Sequence, residues 1–452
     1  MAVANNQNTD LRKLMYGIDA LVTLDTKNKV PAVNLDNAAT TPPFKTVVCE
    51  IEKQMRMYGS IGRGKGQKSA ASTEVYMNGR EVVKDFFGAS RDDYTVFYTN
   101  CTTEGMNKLA SALIESPSDV VLTSRMEHHA NDLPWRERCQ VVYAEVDALG
   151  RLNLQDVERL LKQYAVKIVS ITAASNVTGY VNNIHAIAKL AHTYEAIVVV
   201  DGAQIAAHRA VKLIGNTAEE DIDFFVFSAH KMYSPFGGGG VVGKSQLLEG
   251  KVPAYYGGGM VAAVCDQDVL YLEAPDSFEA GSPNYPGVVG MMAAMKQLKK
   301  ISFSFIEAHE QKLLRKTING LNRIPGVTLY GDNDDIRDRV GIITFNLEGL
   351  DCSETAGWLA DHYGIATRHA AFCAHPYVRR LTGEAEQSPC TPPSGMVRIS
   401  FGVYTSDADI DKFLKAIKEM ASCKKTKEIM KKTLFATATV SAPQTGVPYD
   451  RG

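Results

Sequence analysis

The stretch Asp223-Phe-Phe-Val-Phe-Ser-Ala-His-Lys231-Met-Tyr-Ser-Pro-Phe236 runs directly into four glycines, Gly237 to Gly240. Its opening is short, apolar and aromatic and stops at turn chemistry, which is the pattern of a buried strand. Lys231 stands at the lip of that strand, where a lysine has two readings. Its stem can lie along apolar surface with the ammonium in water. Alternatively, its amine is held in a partly desolvated site and forms a Schiff base. Burying an ammonium is costly, so the second reading requires partners elsewhere in the chain.

Working outward, strands alternate with helices. The β-branched run 196–200 closes on Asp201-Gly-Ala-Gln204, and the strand 167–172 ends at Ser175-Asn176-Val-Thr-Gly. The strand 120–123 ends in Met126-Glu-His-His-Ala-Asn, and 95–98 leads through Asn100-Cys-Thr-Thr-Glu-Gly into a helix from Met106. A further strand is expected at 141–145, with helices over 72–87, 154–164 and 184–194. Alternation of this kind, with several fully apolar strands, indicates a largely parallel α/β sheet covered on both faces. Ligands of such sheets sit beyond the C-terminal strand ends. The polar clusters Thr102/Thr103, His128, Asn176, Asp201/Gln204 and His230/Lys231 all fall at those ends.

Toward the N-terminus the pattern predicts an amphipathic helix over 8–20 and a brief strand over 31–36. The small-residue loop Asn37-Ala-Ala-Thr-Thr-Pro-Pro43 follows, then a helix to about residue 58. Gly59-Ser-Ile-Gly-Arg-Gly-Lys-Gly66 has the look of a phosphate loop but fails as one. Gly66 stands where Ser or Thr is needed, and a helix precedes the loop instead of a strand. It reads as a flexible basic loop. Beyond the glycines at 257–259 and the segment 278–284 the texture becomes α+β. Helices are expected at 287–300, 304–320, 353–362 and 407–422, and strands at 327–330, 340–346 and 396–401. The expected organisation is an N-terminal segment, 1–32, packing on a small domain; a large ligand-binding domain, 33–286; the small domain, 287–425; and a tail, 426–452, whose end is disordered.

At 452 residues the chain is long enough for two domains, and 45% hydrophobic with 22% charged residues is ordinary for a globular protein. Lys+Arg 49 against Asp+Glu 51 calls for neither nucleic acid nor an anionic membrane. No apolar run is long enough to span a bilayer, and the first residues lack a signal-peptide pattern. The eight cysteines include no Cys-x-x-Cys pair, which argues against a disulfide framework and a zinc knuckle, so no metal is expected. The reading is a reduced, cytoplasmic protein.

Asp201 and Lys231 lie one βαβ step apart and are therefore expected on neighbouring strands. Pyridoxal 5'-phosphate requires such a pair: an amine for the imine, and an acid to keep the pyridine nitrogen protonated. The helix start at Thr102 and Thr103 suits a phosphate, with Ser228 and His230 as further donors. His128 can stack on the ring, and Gln204 can bond its phenolic oxygen. The competing reading of Asp201 and Lys231 is a structural ion pair, which burial makes of doubtful benefit.

The motifs Leu35-Asp-Asn-Ala-Ala-Thr-Thr, Thr102-Thr-Glu-Gly, Glu127-His-His-Ala-Asn, Asn176-Val-Thr-Gly, Asp201-Gly-Ala-Gln, Ser228-Ala-His-Lys and Phe278-Glu-Ala-Gly-Ser-Pro-Asn occur in this order. Together they resemble the class V aminotransferase superfamily across residues 33–422, and most of all its cysteine desulfurase and selenocysteine lyase branch. The resemblance implies the pyridoxal-phosphate fold type I, with a mostly parallel large-domain sheet and a smaller α+β C-terminal domain. It also implies a homodimer with shared active sites, in which Ser282, where the family usually has Thr, reaches the cofactor phosphate of the other subunit. Arg398 matches the arginine that binds the substrate carboxylate, together with Asn176, and a bidentate guanidinium suits that task. In Arg368-His-Ala-Ala-Phe-Cys373-Ala-His-Pro, Cys373 matches the persulfide-forming cysteine and Arg368, a further candidate for substrate binding, the arginine before it. Arg368 and His375 are candidates to lower the thiol pKa; the competing reading of Cys373 is a small buried apolar residue. Two departures stand out: Ala370-Ala-Phe372 replaces the common Gly-His-His, and the segment 379–395, with Cys390, is longer than usual.

The implied reaction converts L-cysteine, or selenocysteine, to L-alanine. Lys231 moves the α-proton, Cys373 takes the sulfur as a persulfide, and an acceptor protein receives it. Another enzyme of the superfamily acting on a small amino acid (an aminotransferase, C–S lyase or epimerase) is the alternative. A sulfur carrier with a vestigial cofactor site would lack the Lys231, Asp201 and His128 constellation.

Overall fold

The computed structural model describes residues 11–62, 64–386 and 390–422. The tail from 426 onward lies outside the described residues, as do residues 8–10 of the expected first helix, Arg63 of the basic loop and 387–389 of the segment 379–395. Phe224–Ser228 is the third strand of a seven-stranded sheet. From one edge to the other the strands are Tyr94–Thr99, Gly239–Lys244, Phe224–Ser228, Ile197–Asp201, Val166–Thr172, Val120–Ser124 and Gln140–Ala144. All pairings are parallel except those of Gly239–Lys244, which runs antiparallel to both of its neighbours. Every residue of Phe224–Ser228 is buried, as expected of a strand covered on both faces. On one face Phe87 packs against Phe225 and Phe227 with ring centroids 4.8 and 4.7 Å apart. Each such ring contributes about 2–3 kcal/mol of burial.

Gly239–Lys244 is a strand not expected from the four-glycine run at its start. Its glycines are there for packing. A Cβ on Gly239 would press on the Phe227 carbonyl, and one on Gly243 would enter the Phe224 ring. The aromatic strand therefore requires a glycine-rich neighbour.

A second sheet of four antiparallel strands is ordered Val327–Leu329, Ile342–Leu347, Met396–Ser400, Arg368–Ala370. Helices Phe303–Leu321, Cys352–Tyr363 and Asp407–Ser422 cover it over a separate core that includes Leu313, Phe345, Ile399 and Phe413. Helix Tyr285–Ile301 leads from the first sheet toward it.

Near the N-terminus the expected helix is reduced to a 3-10 turn, Leu11–Leu14. Met15 is drawn into a bridge with Phe44 and the Tyr16 N–H donates to the Pro43 carbonyl, while Gly17 turns at φ +69. The strand expected at 31–36 divides into Lys29–Pro31, hairpinned to Leu21–Thr23, and Val33–Asn34, parallel to Ile365–Ala366. Asp36 then bridges Ser400, so the Asn37–Pro43 loop passes between the two sheets. Among the described residues no helix is long and apolar enough to cross a membrane, and no group of three or more His, Cys, Asp or Glu could hold a metal ion.

Candidate active site

A cleft of about 250 Å³ opens beyond the C-terminal ends of the parallel strands, at the join with the second sheet. Thr102, Thr103, His128, Asn176, Asp201, Gln204, Ser228, His230, Lys231, Arg368, Cys373 and Arg398 all line it. Ser282 does not. It is exposed in a different cleft, beside Asn100, Glu104 and Gly237.

Local structure explains each position. Asp201 ends its strand, in register with Val226 of the neighbouring strand that leads to Lys231. The Ala229–Lys231 turn is pinned because the His230 carbonyl accepts from the Thr41 N–H at 2.9 Å and from the Thr40 and Thr41 hydroxyls. Helix Thr102–Leu113 begins at the cleft, and the Thr102 N–H donates to Ser228 Oγ at 2.7 Å. Glu104 folds back to accept from the Asn100 N–H, which frees the helix N-terminus of its own acidic cap. His128 Nδ1 accepts from the Ala130 N–H at 3.0 Å. The proton of a neutral His128 therefore sits on Nε2.

Burial sets the charges. It lowers Lys231 to about 8, with Asp201 opposing and Arg398 adding to the effect. Burial raises the Asp201 carboxyl above its ordinary range, countered by the Ala203 N–H and by Lys231. His128 falls to about 3 and His230 to about 4, in both cases from burial first and Lys231 second. Both imidazoles are neutral at pH 7.

Arg398 is buried and held in place by two partners, the Asn176 carbonyl at 2.9 Å and Asp36 Oδ1 at 3.2 Å. Burial lowers it to about 10, so it remains a cation at neutral pH. Its Nε and the Oε1 of Gln204 are buried without a hydrogen-bond partner. Exposed Arg368 approaches Asp36 Oδ2 at 4.0 Å. Cys373 is exposed at φ +56, directly after Phe372 at φ +52. Such angles are strained for side chains of this size and are typical of functional loops. The turn is held by the Asn176 amide donating to the Phe372 carbonyl at 2.7 Å and by the His129 N–H donating to the Cys373 carbonyl at 2.7 Å. His375 turns to His129, its ring centroid 4.8 Å from that ring.

The aminotransferase class-V family model matches residues 33–413. The chain belongs to the class-V aminotransferase family. A probable cysteine desulfurase of Halalkalibacterium halodurans is 33% identical over 91% of this chain and 97% of its own length. A cysteine desulfurase of Escherichia coli O8 is 33% identical over 87% of this chain and 94% of its own. Among solved structures, an apo cysteine desulfurase from Thermococcus onnurineus superposes with a TM-score of 0.78 at 30% identity, over 86% of this chain and 94% of that one. An S-sulfonic acid form of an Escherichia coli cysteine desulfurase gives 0.74 at 30% identity, with the same coverage.

Class-V aminotransferases are pyridoxal-phosphate enzymes, and the cleft of this family member fits that group. A lysine with a depressed pKa, a buried carboxylate on the adjacent strand, a helix N-terminus and an orphaned Gln204 Oε1 all face one space. Sequence reasoning assigned no role to Asp36, although it quoted the motif that contains it. It also gave no role to Phe372, whose ring lies over Arg398. The carboxylate in the Leu35-Asp-Asn motif was the available signal for the first; the departure at Ala370-Ala-Phe372 was the signal for the second.

Proposed function

We propose that this enzyme is a pyridoxal-phosphate-dependent cysteine desulfurase that moves the sulfur of L-cysteine, or the selenium of selenocysteine, onto Cys373 and releases L-alanine. The observation that carries the reading is the presence of Cys373, Lys231 and Arg398 on the walls of one cleft. The names of the relatives point the same way. Lys231, Asp201, His128, Gln204, Asn176, Ser228, His230 and the Thr102–Thr103 helix start would hold the cofactor. When bound, that group withdraws electrons from the substrate α-carbon.

The chain's own residues do the rest. Arg398, steadied by Asp36 and the Asn176 carbonyl, holds the substrate carboxylate with its guanidinium. Lys231, with a pKa of about 8, accepts and returns the α-proton close to neutral pH. Neutral His128 adds no positive charge beside that amine. The Cys373 thiolate attacks the substrate sulfur; an S–S bond forms, the Cβ–S bond breaks, and its electron pair stays with carbon, which is protonated on the way to alanine. The exposure of Cys373 suits delivery of the persulfide to an acceptor protein.

A homodimer accords with Ser282 lying outside this cleft and with the exposed apolar residues Tyr256, Val264 and Leu270 nearby in sequence. A cytoplasmic setting accords with the seven cysteines that are unpaired among the described residues. The test is a reaction with L-cysteine scored for alanine, pyruvate and sulfide. Wild type should yield alanine and sulfur in equal amounts, and Cys373→Ala should lose both. Intact alanine release from Cys373→Ala would refute the persulfide role, whereas Lys231→Ala tests the cofactor class alone.

A further inference from the structure

Phe372 directly precedes Cys373, and its ring is placed against the arginine of the cleft. The residue is buried, with its ring lining the cleft and its centroid 4.9 Å from the Arg398 guanidinium carbon. That separation is within cation–π range, and the strength of such a contact grows as water is excluded. The guanidinium is thus bounded by an aromatic ring, by Asp36 at one nitrogen and by the Asn176 carbonyl at another, which leaves Nε unengaged. The backbone is committed to the same placement. Phe372 adopts φ +52, and its carbonyl accepts from Asn176, the residue that also grips Arg398. A histidine here would bring hydrogen-bonding nitrogens, and water with them, against the cation.

We propose that Phe372 is a positioning residue for substrate binding: its ring keeps the Arg398 guanidinium in place and dry, so that the guanidinium receives an amino-acid carboxylate in a low-dielectric setting. This rests on the reading of Arg398 as the carboxylate-binding residue. Charge pairing strengthens as water is excluded, so the ring tightens binding of any small carboxylate, with or without an amine.

Propionate, which has the carboxylate and lacks the amine needed for an imine, isolates this contribution. Its dissociation constant is measured by calorimetry on the cofactor-loaded enzyme, alongside steady-state kinetics with L-cysteine. Phe372→Ala and Phe372→Leu should each weaken propionate by about fivefold. Both should raise KM for L-cysteine by more than they lower kcat, and Phe372→Tyr, which keeps the ring face, should restore wild-type values. Propionate affinity unchanged in both the Ala and Leu variants overturns the proposal, as does a loss confined to kcat. Arg398→Ala separates the two layers. If it weakens propionate while the Phe372 variants do not, only the ring's role fails. If it too binds like wild type, the carboxylate reading of Arg398 falls, and this inference with it.

Discussion

The free amine of Lys231 is the most exacting quantity in the site. Burial holds it at about 8 against an ordinary value of 10.5, while Asp201 pulls it up and Arg398 pushes it down. That difference makes roughly 300 times more neutral amine available at pH 7 than an unperturbed lysine offers. Competitive labelling of the apoprotein with trace acetic anhydride between pH 6 and 11, with the Lys231 peptide quantified by mass spectrometry, reads the titration directly. Exposed Lys53 serves as the internal standard. The Lys231 midpoint should fall near 8. Asp201→Asn removes the charge that favours the ammonium and should lower the midpoint by about one unit or more. Arg398→Ala removes a repelling cation and should raise it. A wild-type midpoint above 10, or an upward shift in Asp201→Asn, would refute the electrostatic account of this site.

Two further outcomes follow from buried groups near the cleft. Burial raises the Glu127 carboxyl to about 8, although Ser124 Oγ at 2.5 Å and Asn131 Nδ2 at 2.7 Å both donate to it. Between about 4.5 and 8 the unfolded chain gives up a proton that the fold retains, so the stabilising contribution, complete below 4.5, is lost as pH rises through 8. Urea midpoints of wild type should therefore drop more steeply from pH 5 to 8.5 than those of Glu127→Gln, by up to about 4 kcal/mol in stability; parallel curves would contradict this. Arg339, 1% exposed, donates at 2.9 Å to each of the Thr178, Asp332 and Ile342 carbonyls. Arg339→Ala would take the donor from two buried acceptors and one part-buried acceptor and should cost about 3–5 kcal/mol in thermal or denaturant unfolding.

The parallel strands and the polar clusters at their ends were legible because both signals are local. An apolar run such as 196–200 and the Asp-Gly-Ala-Gln that closes it sit side by side in sequence. Gly239–Lys244 was not legible, since glycine has little strand propensity and its reason, the Phe224 ring and the Phe227 carbonyl, comes from the adjacent strand. The N-terminal turn shows the converse. Residues around Leu11 carry helical spacing, but Met15 and Tyr16 gain partners at Phe44 and Pro43, and tertiary pairing overrides propensity. Helix His375–Thr382 likewise went unseen within a stretch that reads as a polar loop.

By itself the sequence determined the fold class and brought the candidate cofactor residues to one place, because Lys231, Asp201, His128 and Thr102 each follow a strand whose direction places its end at one edge of a parallel sheet. Only the tertiary structure decided how Arg398 is held and what covers it. Asp36, Asn176 and Phe372 reach it from three distant parts of the chain, and whether they meet depends on how the second sheet docks against the first. Cys373 shares that dependence. Its neighbours are set by the left-handed turn that Asn176 and His129 pin from the first sheet, a constraint with no trace in local sequence.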